Sequence, residues 1–225
     1  MRILFLGDIV GRPGRSAVRE RLPILRRKLG LDLMLANAEN ASGGLGLTPQ
    51  NARELREAGV DLMTSGNHIW KYREIYPFLR EKDWLLRPAN YPREVPGRGS
   101  AVRDLDGCRV GVLNLQGRVF MQPLDCPFRT ADSLLRELSE REPEIILVDV
   151  HAEATAEKQA LAHYLQGRVT AVLGTHTHVQ TRDASVGAGG TGYITDLGMC
   201  GPPSSVIGMD PEAVLQGFLS QLPQR

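Results

Sequence analysis

Four of the five histidines in this sequence stand at the end of a short apolar run or just beyond it. Ile3–Leu6 is followed by Gly7-Asp8, and Leu31–Ala36 by Asn37-Ala38-Glu39-Asn40. Val60–Met63 is followed by Thr64-Ser65-Gly66-Asn67-His68, Ile145–Val150 by His151, and Val169–Leu173 by Gly174-Thr175-His176-Thr177-His178. Imidazoles, carboxylates and amide oxygens with no thiolate cluster suit manganese, iron or zinc. The set Asp8, Glu39, Asn40, Asn67, His151, His176 and His178 exceeds what one ion takes. Two ions about 3.5–4 Å apart, bridged by a carboxylate and a water, are the known use of such a set. The paired cations would lower the pKa of the water between them, giving hydroxide near neutral pH, and would offset charge on a phosphoryl group. An uncoordinated imidazole beside them would protonate the leaving oxygen. His68 is the candidate, because in extended chain it points away from the direction of Asn67, so the two do not share the metal. The same alternation carries His176 and His178 into one site.

Each residue also has a plainer reading. Asp8 could cap a helix, Glu39 could lie on the surface, Asn40 and Asn67 could form turns, and His151 could be a hydrogen-bonded core residue. The recurrence at five strand ends is what structural needs alone do not produce. The remaining histidine, His163, sits on a helical segment and reads as ordinary surface or core. Competing motifs are absent: there is no GxxxxGK[ST] phosphate loop and no GxSxG elbow. Gly11-Arg12-Pro13-Gly14 and Gly43-Gly44-Leu45-Gly46 do not match the dinucleotide fingerprint and read as turns beside a site.

The elements that must position these residues are legible from the pattern. The apolar runs are short, rich in Val, Ile and Leu, and do not alternate, as strands buried on both faces of a parallel sheet do not. Helical spacing runs from Ser16 to Lys28, with Pro23 as a local conflict and Gly30 as a stop. Thr48-Pro49 opens a helix that ends near Gly59. Thr130 to Glu140 and Thr155 to Leu165 are further helices, and Asp210-Pro211-Glu212 opens a last one. Arg98 to Leu115 reads as two strands turning at Asp106-Gly107, which makes the sheet mixed. Trp84 to Pro96 reads as a loop, Gly187 to Gly192 as a glycine-rich turn, and Tyr193–Thr195 as a short strand. Strands alternating with helices predict an α/β fold in one domain spanning residues 1–225. In an open parallel sheet ligands bind outside the carboxyl ends of the strands, so the five clusters are expected at one edge.

Bulk properties narrow the function classes. The 225 residues, 42% hydrophobic and 24% charged, have the composition of a globular protein with a full core. A net charge of +1 provides no field for broad nucleic-acid binding. A basic patch of Arg87, Arg93, Arg98 and Arg118 is conceivable, but solvated surface is the favoured reading. The N-terminus lacks the features of a secretory signal, and no apolar run approaches a membrane span. The three cysteines, Cys108, Cys126 and Cys200, form no CxxC pair, read as buried or partly buried thiols, and fit a reducing cytoplasm.

Gly7-Asp8, Gly66-Asn67-His68, His151 and Gly174-Thr175-His176-Thr177-His178 resemble the calcineurin-like metallophosphoesterases. Two departures narrow the resemblance: Val10 stands where the opening motif has histidine, and Ala38-Glu39-Asn40 stands where an aspartate is usual. With GDIVGRPGR, NAENASGG, TSGNHIW, RPANYP, GTHTHVQT and ITDLGMCGP, the sequence is similar to the YmdB-like bacterial 2′,3′-cyclic-nucleotide 2′-phosphodiesterases over nearly its whole length. That resemblance implies a metallophosphoesterase-type sandwich of largely parallel, mixed sheets flanked by helices. It implies two iron or manganese ions, one held by Asp8, Glu39, Asn40 and His178, the other by Glu39, Asn67, His151 and His176, with Glu39 bridging and His68 donating the proton. The implied substrate is a small cyclic nucleotide or phosphodiester, including RNA-derived ends, and the implied assembly is a homo-oligomer. Chains of the family continue past the last helix into another strand region, so the C-terminal edge, ending here at Gln224-Arg225, is expected to be incomplete. Two other functions stay open: a phosphomonoesterase or protein phosphatase on the same scaffold, and a non-catalytic RNA-associated regulatory protein.

Overall fold

The structure, a computed structural model, describes residues 1–222. Gln224-Arg225, and with them the edge expected to be incomplete, lie outside the described residues. The parallel strands divide between two sheets. In the first, β1 (Ile3–Leu6), β3 (Leu33–Asn37) and β4 (Leu62–Thr64) lie parallel in the order β1-β3-β4. The second contains β5 (Ser100–Leu105), β6 (Cys108–Gln116), β7 (Ile145–His151), β8 (Ala171–Thr175), β9 (Ser185–Val186) and β10 (Gly192–Ile194). Its order is β5-β6-β7-β8-β10-β9, parallel from β6 to β10 and antiparallel at both edges. Two short strands, β2 (Asp8–Ile9) and β11 (Met199–Cys200), pair separately. The expectation of a single sheet with five liganding strand ends is therefore corrected: three such ends belong to one sheet and two to the other.

Strand alternation explains the layers. Leu33 and Leu35 of β3 pack with Val110, Val112 and Leu147 of the second sheet, which forms the core between the sheets. Met34 and Ala36 face the other way, toward Val18 and Leu22 of α1 (Gly11–Leu29), Leu55 of α2 (Pro49–Glu57) and Phe78 of α3 (Ile75–Glu81). Val148 and Val150 of β7 face Ala131 and Leu138 of α4 (Pro127–Ser139) and Leu161 of α5 (Thr155–Tyr164). The result is helix, sheet, sheet, helix, which is why the strands read as apolar on both faces.

Several element boundaries move. α1 begins at Gly11 rather than Ser16, so Gly11-Arg12-Pro13-Gly14 is the first helical turn and not a loop. Gly14 is required there, because a Cβ would lie 2.1 Å from the Cys200 carbonyl oxygen. The helix continues through Pro23 and stops at left-handed Gly30. α4 begins at Pro127 rather than Thr130, with proline in the first turn as in α2 and α6 (Pro211–Ser220). α3 was unforeseen, since its seven residues are too few to show a period. The Asp106-Gly107 turn has positive φ at both residues, 51° and 90°, as the hairpin reading requires. Among the described residues, no helix is long and apolar enough to cross a membrane.

Candidate metal centre

All five strand ends converge on one region, partly buried behind a cavity. Gly7 allows the chain to pass against Gly198, whose carbonyl oxygen would lie 2.1 Å from a Cβ at position 7. Asp8 is thereby fully buried; its Oδ2 accepts the His176 backbone N–H at 3.0 Å. Its Oδ1 has no hydrogen-bond partner and lies 3.7 Å from His178 Nε2. Glu39, also fully buried, accepts the His68 backbone N–H at Oε2, 2.9 Å away. Glu39 Oε1 lies 3.0 Å from His151 Nε2 and 3.2 Å from Asn40 Nδ2. Around His151 Nε2 also stand His176 Nδ1 at 3.0 Å and Asn67 Oδ1 at 3.2 Å. Asn40 Nδ2 lies 3.1 Å from His178 Nε2. Gly66 closes this cluster, for a Cβ there would fall 2.1 Å from the His151 ring and 2.5 Å from Glu39 Oε2.

Two directional arguments from extended chain fail here, although the residues still converge. Asn67 and His68 lie in a 3₁₀ turn, Asn67–Trp70, not in extended chain. His176 and His178 follow β8 with φ of 101° and 65°, in the left-handed region that non-glycine residues rarely occupy. That strain turns both rings inward and is of the kind that gathers at functional sites. His68 takes a different part from its neighbour: its Nδ1 lies 2.8 Å from Asn40 Oδ1, and its Nε2 bonds to no group among the described residues. His163 is exposed on α5.

Buried residues behind these side chains orient them. Thr175 Oγ1 donates to Asp149 Oδ1 at 2.7 Å and therefore accepts from His151 Nδ1 at 2.9 Å. When the ring is neutral, this bond keeps its proton on Nδ1 and turns the Nε2 lone pair toward the space shared by Glu39, Asn67 and His176. Asp149 Oδ2 also accepts from Thr64 Oγ1 and from Asn37 Nδ2. Lys158 and Asp196 form a fully buried ion pair, 2.8 Å long. Asp196 accepts in addition from Thr177 N and Gly198 N, which fixes both the His176–His178 loop and the strand backing Asp8. None of Asn37, Thr64, Asp149, Lys158, Thr175 or Asp196 was singled out from sequence. Asp149 had a signal, being a carboxylate inside an apolar run two residues before His151; Lys158 in mid-helix had none.

The electrostatics show where a cation belongs. Burial opposes the charged form of His151, but Glu39, with Asp8 and Asp149, outweighs it and raises the pKa to about 9. Burial would raise Glu39, yet His151 and His68 hold it well below the usual carboxylate range. Burial and the charge of His151 lower His176 to about 4. A single proton on His151 Nε2 satisfies one acceptor, whereas three lone-pair-bearing atoms surround that nitrogen and Asp8 Oδ1 has no hydrogen-bond partner. A divalent cation accepts lone pairs from all of them, so the residues fit a metal. Glu39, His151 and His176 each offer an atom within 4.8 Å of the others. The cavity in front has a volume of about 720 Å³ and is lined by Glu39, Asn40, His68, His176, His178 and the Gly43-Gly44 turn.

The sequence profile of YmdB-like proteins matches residues 4–225. The chain belongs to that family. It is 48% identical over 225 residues to the 2′,3′-cyclic-nucleotide 2′-phosphodiesterase of Bacillus subtilis, covering 100% of this chain and 85% of that protein. A crystal structure of a hypothetical protein from Thermus thermophilus superposes with a TM-score of 0.95 at 48% identity, covering 100% of this chain and 87% of the other. The NAD nucleotidase of Haemophilus influenzae is similar at a TM-score of 0.59 and 15% identity, over 80% of this chain and 43% of that one, which shows the fold alone. The YmdB-like chain thus has the metallophosphoesterase-type α/β sandwich that its motifs imply.

Proposed function

We propose that this YmdB-like chain is a dinuclear phosphodiesterase that hydrolyses 2′,3′-cyclic nucleotides at the 2′ ester bond, leaving the 3′-phosphate. The observation that carries the proposal is the division of the donors into two groups sharing Glu39. Asp8, Asn40 and His178 form one group: His178 Nε2 lies 3.1 Å from the Asn40 amide nitrogen and 3.7 Å from Asp8 Oδ1. Asn67, His151 and His176 form the other, within 3.2 Å of His151 Nε2. Glu39 Oε1 touches both, accepting a hydrogen bond from Asn40 Nδ2 at 3.2 Å and lying 3.0 Å from His151 Nε2. Iron or manganese suits this set, with zinc as the alternative. Held by these residues, two such ions would supply an activated water and would offset phosphate charge. His68 donates Nδ1–H to Asn40 Oδ1, so Nε2 lies on the other side of the ring, available to protonate the departing 2′ oxygen. The name of the Bacillus subtilis relative supports the choice of substrate.

Metal-loaded protein is tested on 2′,3′-cyclic nucleotides, 3′,5′-cyclic nucleotides, bis-p-nitrophenyl phosphate and a phosphoserine peptide. The expected outcome is fastest turnover of the 2′,3′-cyclic class with a 3′-phosphate product. Faster phosphoserine hydrolysis would favour a phosphatase on this scaffold, and RNA binding with no hydrolysis a regulatory protein. His68→Ala should reduce turnover by roughly 10²–10⁴-fold while metal content stays near normal. Loss of metal from that variant would show that His68 is a ligand instead. Three free thiols support a reducing cytoplasm. Self-assembly is supported by α6, which buries none of its residues and exposes Leu215, Phe218 and Leu219.

A further inference from the structure

Arg87, read from sequence as part of a solvated basic patch, is only 6% exposed. Its Nη1 donates to the Pro88 and Ala89 carbonyl oxygens at 2.8 and 3.1 Å. Its Nε is buried with no partner, and no carboxylate forms an ion pair with Arg87 among the described residues. Burial lowers the guanidinium pKa, and no neighbouring anion counters it. A buried cation without an anion is costly, and a bound anion would offset that cost.

Arg87 lines a cavity of about 500 Å³ that shares no residue with the metal cavity. Arg93 and Arg129, both exposed, line it too. The N-terminus of α4 forms another wall, through Cys126 and Thr130. Cys126 caps that helix without any side-chain hydrogen bond; Pro127 has no N–H and Thr130 N–H bonds the Cys126 carbonyl, which leaves the Phe128 and Arg129 N–H groups and the positive end of the helix dipole. The acids on the rim are Asp125 and Glu137, both exposed, and Glu137 is 4.0 Å from Arg93. The balance is three cations to two acids, with the buried charge uncompensated.

We infer that this cavity is a second binding site, one for a phosphate ester, with Arg87 as its fixed floor and Arg129 and the start of α4 as its rim. The planar Arg87 guanidinium lines the cavity, and its Nη2 makes no hydrogen bond among the described residues and so keeps its N–H donors for a phosphate oxygen. The site is independent of the hydrolytic reading, since it uses none of the metal-centre residues.

The test is protection from phenylglyoxal, an arginine-directed reagent, in metal-loaded protein, read peptide by peptide. Chloride, inorganic phosphate and a nucleoside 3′-monophosphate are compared at equal ionic strength. At a ligand concentration ten times the Kd, labelling of Arg129 and Arg93 should slow roughly tenfold, by occupancy. Labelling of Arg27, exposed on α1, should not change. Protection by both anions identifies phosphate itself as the ligand, and protection by the nucleotide alone identifies a phosphorylated nucleoside. Arg87→Met should abolish protection while hydrolysis of bis-p-nitrophenyl phosphate is unchanged. Should that variant fail to fold, Arg129→Glu, read at Arg93, carries the same expectation. Equal labelling in chloride and in both phosphates, or protection that survives these substitutions, overturns the inference.

Discussion

The three-stranded sheet and the six-stranded sheet meet at one cavity but equip it differently. The ends of the first sheet and the β2 segment that follows it supply Asp8, Glu39, Asn40 and Asn67, all oxygen donors, together with His68. The ends of the second supply only imidazoles, His151, His176 and His178. On the oxygen side the anchors are mostly backbone: His68 N–H holds Glu39 and His176 N–H holds Asp8. On the nitrogen side each ring is oriented through its second nitrogen, by Thr175 for His151, Glu153 for His176 and the Ile207 carbonyl for His178. The reason is directional. A carboxylate accepts over a wide range of angles, whereas an imidazole has two lone directions and must have one fixed for the other to point correctly. The six-stranded sheet accordingly carries the buried Asp149 and Thr175, with the Lys158–Asp196 pair beside them.

The largest expected effect comes from breaking the junction of the two sides. Glu39→Gln should lower turnover on the order of 10³-fold or more and empty both metal positions, as read by elemental analysis. Near-normal metal content in that variant would show that Glu39 does not join the two groups. Lys158→Met acts mainly on the nitrogen side, leaving Asp196 charged and unpaired in the core behind the His176–His178 loop. It should cost about 4 kcal/mol in chemical denaturation; a loss within experimental error would mean that the pair does not hold the His176–His178 loop.

A third measurement separates the two sides by pH. His151 in metal-free protein has a pKa of about 9 against an ordinary 6.5. A cation favoured in this way adds stability that is complete below pH 6.5 and is lost as pH rises through 9. Metal-free protein should thus lose about 3 kcal/mol between those limits, most of it from the single Glu39–His151 contact. Metal loading should release a proton and flatten the profile, since the ion replaces that proton. A metal-free profile that is already flat would remove the proton from the site. The smallest effect is expected from Thr175→Val, which deprives His151 Nδ1 of its acceptor without changing a ligand. Metal affinity should fall about 10–100-fold, with the oxygen-side variant Asn40→Ala as comparison.

Much of this was legible in the residues. Short apolar runs ending in Asp8, Glu39, Asn67, His151 and His176 marked the strands, because a strand buried on both faces must be apolar until it emerges. Thr48-Pro49 and Asp210-Pro211 marked helix starts, because the cap and proline act within a few residues. Contacts between distant segments were not legible. Whether Leu33 and Val110 face each other across two sheets, rather than lying in one, depends on contacts far apart in sequence. So does the burial of Arg87, whose neighbours in the chain give no sign that the loop folds under α4. The candidate ligands were legible from sequence alone, since a metal selects atoms by type. Their directions were decided only by tertiary structure, through the left-handed turns at His176 and His178 and the buried Thr175 behind His151, because a lone pair points only where its second partner holds the ring.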